Sequence, residues 1–143
     1  MEFSEFREVL ALWCQLRPAI PLDCWIDEAN ARLSSAERGV RCSIDVLDPY
    51  DGSDVEQVSA LLSHGGAGIA CACEGALGID ADTHCVVLLI WMADPCTPAD
   101  VFNCLESLAN QRAALLALLK TSSRTTVSSP GGRTTINSWQ PGV

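Results

Sequence analysis

The side chains with the most capacity for chemistry in this chain are thiols. Eight cysteines occur, Cys14, Cys24, Cys42, Cys71, Cys73, Cys85, Cys96 and Cys104, alongside two histidines, His64 and His84. Thiolate and imidazole are zinc ligands, so His64, Cys71, Cys73, His84 and Cys85 form the first constellation to weigh. Cys71 and Cys73 share a face if extended, which permits a Cys-x-Cys half-site. There is no CxxC pair and no helical HxxxH to complete it. Nucleophilic catalysis needs a thiol beside a base, or one whose pKa is lowered by a cation or a helix start. Cys96 precedes a helix and is the best placed by that rule. His84 adjoins Cys85 in sequence, but neighbours on a strand point to opposite faces. These residues define one functional reading: a cytoplasmic thiol- or zinc-dependent enzyme using Cys71, Cys73 and Cys96 with His64 or His84. The competing reading is that reduced cysteines pack as small hydrophobes.

Carboxylates carry less. Asp45, Asp48 and Asp51, and again Asp80 and Asp82, sit at turns, where short acidic side chains serve local hydrogen bonding. The glycine run "GGAG" at 65–68 lacks both the GK[ST] ending and the GxGxxG spacing of phosphate loops.

Composition narrows the classes further. The chain has 143 residues, a formal net charge of −9 and a pI near 4.4. One domain is expected, long enough for a hydrophobic core without metal or disulfide staples. The acidity disfavours nucleic acid as a partner, because phosphate would be repelled. The opening "MEFSEFREVL" lacks a secretory-signal layout, and the longest uncharged apolar run, Cys85 to Ala93, is too short for a membrane-spanning helix. No membrane insertion and a cytoplasmic, reducing setting are therefore expected.

Hydrophobic periodicity places the elements. Phe6, Val9, Leu10, Trp13 and Leu16 recur at spacings of three and four, which predicts a helix over 2–17 with Ser4 as its cap. "LDCWIDE" reads as a short strand with Cys24 and Ile26 on one face and Trp25 on the other. "NARLSSAERG" reads as a turn or a short helical loop. "VRCSIDVLDP" alternates, placing Val40, Cys42, Ile44 and Val46 on a buried face. A turn at Pro49, Asp51 and Gly52 leads to a helix over 53–64, with Ser53 and Glu56 in capping-box register. Val55, Val58, Leu61 and Leu62 form its apolar stripe. Ala76 to Asp80 and Cys85 to Met92 predict an antiparallel hairpin, the second strand apolar on both faces. Thr97, Pro98 and Asp100 then start a helix running to Lys120. The polar segment 121–143, with Trp139 as its one large apolar residue, is expected to be disordered. The order predicts an α+β domain over 1–120, an antiparallel sheet with N-terminal, middle and C-terminal helices.

Two readings of the apolar side chains stay open: the core absorbs them all, or some are left for a partner. Phe3, Leu12 and Leu16 flank the first helix's core stripe, and Leu116 and Leu118 point away from each other. Exposed apolar patches mark partner surfaces.

The segment "ALGIDADTHCVVLLIWMADPCTPADVFNCLESLANQRAALLALL" resembles the C-terminal half of class I type III secretion chaperones. The matching positions are Leu77, Gly78, Ile79 and Asp80, then Val86 to Leu89, then Asp100, Leu105, Leu108 and Ala109. The resemblance implies a non-enzymatic α+β protein without a cofactor. Such a protein binds an extended N-terminal segment of a secreted effector or secretion-system protein. It further implies a homodimer, or a heterodimer with a related chaperone. Carried over, Leu12, Leu16, Trp25 and Ile26 would meet the client. Val55, Val58, Leu61, Leu62, Val87 and Leu89 would form the dimer interface.

Overall fold

A computed structural model describes residues 2–64 and 75–127. Helix α1 (Phe3–Leu16) is followed by strands β1 (Leu22–Ile26), β2 (Ala29–Ala36) and β3 (Gly39–Leu47). Next come a single-turn helix α2 (Pro49–Gly52), helix α3 (Val55–His64), strands β4 (Ala76–Ile79) and β5 (Val86–Ala93), and helix α4 (Pro98–Val127). The strands form one antiparallel sheet in the order β1-β2-β3-β5-β4. This is the expected α+β class.

Alternation decides which sheet face is buried. Ala29, Ala31 and Leu33 on β2, Val40, Cys42 and Ile44 on β3, and Val86 and Leu88 on β5 are all buried. They form one core with Leu10 and Trp13 of α1 and Val101, Leu105, Leu108 and Leu115 of α4. The segment 29–36 is thus a strand and not the expected turn or helical loop. Its inward residues are mostly alanine, which has weak strand propensity. Pairing with β1 and β3 supplies the stabilisation that local preference lacks.

The β1–β2 connection is the two-residue turn Asp27–Glu28, both with positive φ (47° and 64°). That conformation matches the twist of a tight hairpin. At the next turn, Gly39 is required on packing grounds. A Cβ there would collide with the backbone carbonyl oxygen of Met92 and press on the Trp91 indole.

Helix starts differ from expectation in detail. Glu2, not Ser4, precedes α1, and its N–H donates to the Glu5 carboxylate at 3.2 Å. At α3 the Asp54 carboxylate accepts from the Glu56 N–H at 3.0 Å, while the Ser53 hydroxyl donates back to the Tyr50 carbonyl. The α4 cap is as expected. The Thr97 hydroxyl accepts from the Asp100 N–H, and the Asp100 carboxylate accepts from the Thr97 N–H at 2.8 Å. Beyond Lys120, α4 continues to Val127. No helix among the described residues is long and apolar enough to cross a membrane.

Arg17 fastens α1 to the rest. It occupies the left-handed position that ends the helix (φ 45°). Its guanidinium donates to the Gly39 carbonyl at 3.1 Å, to the Asp94 carboxylate at 2.7 Å and to the Cys96 sulfur at 3.1 Å. One side chain therefore joins the helix end, the β2–β3 turn and the β5–α4 loop.

Candidate functional site

Six of the cysteines lie among the described residues, all as free thiols, three buried and three half-buried. Burial raises the thiol pKa of Cys14, Cys85 and Cys96 above the ordinary value, and that of Cys24 to about 11. Cys42 is raised as well, first through a hydrogen bond with Cys104. A nucleophilic thiolate requires the opposite shift. At Cys96 the nearby Arg17 cation acts downward, but desolvation outweighs it and Asp94 adds to the rise. Burial thus opposes the activation that a helix start would lend Cys96. His84 lies exposed in a turn with φ 58°, next to the buried Cys85. No group of three or more His, Cys, Asp or Glu residues among those described could hold a metal ion. His64 closes α3, while Cys71, Cys73 and the "GGAG" run lie outside the described residues, as does the segment after Val127.

The turn carboxylates also have structural work. Asp80 accepts from the backbone N–H groups of Asp82 and Thr83, both at 2.9 Å, and these bonds, led by that from Thr83, lower its pKa. It closes the β4–β5 hairpin. Half-buried Asp45 shifts the other way, because burial penalises its charge.

What remains is exposed apolar surface, and α1 displays more large apolar side chains than any other described element. Phe6, Leu10 and Trp13 face the core. Val9, Leu12 and Leu16 recur at i, i+3 and i+7 on another face, and all three are exposed, Leu12 by 56% and Leu16 by 66%. The helix thus has two apolar stripes, only one of which the domain covers. At its start, Phe3 meets Phe102 of α4 edge-on, with ring centroids 5.3 Å apart, and the Arg7 guanidinium lies 5.1 Å from both ring centres. Those contacts set α1 against α4 and leave the second stripe outward.

The remaining candidates divide. Trp25 is 76% exposed on the outer sheet face, whereas Ile26 packs partly against the core. In α3, Leu61 is buried and Val58 is half-buried against the core, while Val55 and Leu62 are exposed. On β5, Val87 is buried and Leu89 half-buried. Leu61 and Val87 are therefore covered within a single chain. Trp91, which the sequence pattern did not single out, is exposed on the same strand face as Val87 and Leu89. The two-residue alternation of β5 is the signal that would have found it.

No family model matches the chain, and no curated protein matches it significantly. Solved structures do. A chain of the ExsC-ExsE complex superposes with a TM-score of 0.55 at 16% identity, covering 83% of this chain and 97% of that one. A chain of the heterodimeric complex ExoU-SpcU, from the type III secretion system of Pseudomonas aeruginosa, gives 0.54 at 18% identity, covering 80% and 98%. At these identities the likeness is one of fold. The resemblance seen in residues 76–119 therefore extends to the architecture of the whole domain.

Proposed function

We propose that this chain is a non-enzymatic secretion chaperone. It binds an extended N-terminal segment of a secreted effector or related secretion-system protein and keeps that segment soluble and export-competent. The observation that carries this reading is the uncovered α1 stripe of Val9, Leu12 and Leu16, on a fold shared with a subunit of a type III secretion complex.

The physical mechanism follows from the surface. Each apolar anchor buried on α1 or against Trp25 contributes about 1.5–3 kcal/mol of transfer free energy. Ordering the client offsets much of it. Strands β1 and β4 end the sheet among the described residues. Among the described residues, either edge offers backbone groups to an added strand, which gives affinity with little demand on client sequence. Binding of this kind is reversible by mass action and needs no nucleotide. Pairing of two copies, or of this chain with a related one, would cover Val55 and Leu62 together with Val58 and Leu89.

Co-purification with a candidate effector tests the reading. The double variant Leu12→Asp, Leu16→Asp alters side chains that are already exposed, so its circular dichroism should match the parent. Its capture of the effector should fall at least tenfold. Undiminished capture by the folded variant would remove this surface from the mechanism.

A further inference from the structure

A second concavity lies away from the α1 stripe. A groove of about 750 Å³ opens at the end of the sheet, where the β1–β2 turn, the β3–α2 junction and the C-terminal half of α4 meet. No residue of α1 lines it. Val46 and Leu47 of β3 and Leu116 and Leu119 of α4 give it an apolar floor, with exposed Trp25 as a side wall. The volume falls among ligand-sized clefts.

Its rim is charged, and unevenly. Four carboxylates border it, those of Glu28, Asp45, Asp48 and Asp51, against two cations, Arg112 and Lys120. Arg112 is committed to the backbone. Its Nε donates to the Asp45 carbonyl at 2.7 Å and its Nη1 to the Asp27 carbonyl at 3.3 Å. Those bonds pin α4 to the sheet and hold the groove's shape. The ion pairs among the described residues are Arg17–Asp94 and Arg32–Asp23, so none of the four rim carboxylates has a cation in contact there.

We propose that this groove docks a peptide segment bearing an apolar anchor flanked by lysine or arginine, as a second contact for the client. The inference rests on the chaperone reading for the identity of that segment, but not for its chemistry. An apolar floor beside an indole wall suits a large aliphatic or aromatic anchor. The acidic rim suits cationic flanks. A second copy of this chain would bring its own negative charge, −9 in formal total, onto that rim. Like charges there would oppose its entry.

The test uses the full chain and a short fluorescent peptide with a central Leu-Phe pair between lysines, compared with one carrying glutamates in their place. The lysine peptide should bind at least tenfold more tightly, and its affinity should fall as salt rises. Trp25→Ser should weaken it about tenfold, and Glu28→Lys with Asp51→Lys should reverse the preference between the two peptides. Equal binding of both peptides, or no effect of Trp25→Ser, would overturn the proposal. So would a chain cut back to residue 127 that binds the lysine peptide tenfold more tightly, since the groove would then belong to the chain's own end. The two readings fail separately. Effector capture that survives loss of the groove's preference retains the chaperone reading, and peptide binding without any effector retains the groove.

Discussion

At the scale of single residues, close approach and burial decide more than catalytic chemistry does. Gly39 faces the Met92 carbonyl at a distance that admits no side chain. Gly39→Ala should therefore lower stability by about 2–3 kcal/mol, through forced displacement of two paired strands, as read from urea unfolding. Cys24 gives a pH signature. Its pKa rises from 9.0 to about 11 on folding, chiefly through desolvation. The folded thiol keeps a proton that the unfolded thiol loses, so its contribution is intact below pH 9 and falls as pH rises toward 11. Urea midpoints should drop across that window, and Cys24→Ala should shallow the drop. Nothing in the spacing of the cysteines distinguished buried from reactive thiols, because that distinction depends on desolvation by distant elements. Only their number and the lack of ligand spacing were readable.

Elements were legible where periodicity was strong. The β5 run, the β4–β5 hairpin and the α4 start are each marked by several residues that agree. The α4 cap should be worth measuring: Thr97→Ala removes the hydroxyl that accepts from Asp100 and should cost about 1 kcal/mol, as a lower midpoint in thermal or urea unfolding. Strand β2 was not legible, although Ala29, Ala31 and Leu33 do alternate. Alanine is equally at home in a helix, and "SSAERG" carries turn residues, so the local signal was divided. Tertiary pairing on both sides resolves it. The end of α4 was missed for a related reason. Residues 121–127 lack an apolar stripe, yet extending a helix already formed costs little compared with starting one.

On the scale of the whole molecule, the sequence conveyed the architecture but not the partition of its apolar surface. Leu61 and Val87 were expected at an interface between chains, and each is buried within one. Which residues of a stripe are covered depends on helix placement, and periodicity does not report that. If Val55 and Leu62 pair two copies, light scattering should give twice the chain mass for the parent. Val55→Asp with Leu62→Asp should give the mass of one chain with unchanged secondary structure. The clamp at Arg17 has a consequence of its own. A helix with two greasy sides has two rotational settings on a sheet open to it, and the Phe3, Arg7 and Phe102 contacts at its start select one of them. By fixing where α1 ends, the Arg17 guanidinium acts as a second key to that same setting. Without it, the far end of α1 would lose the anchor that complements the aromatic one at its start.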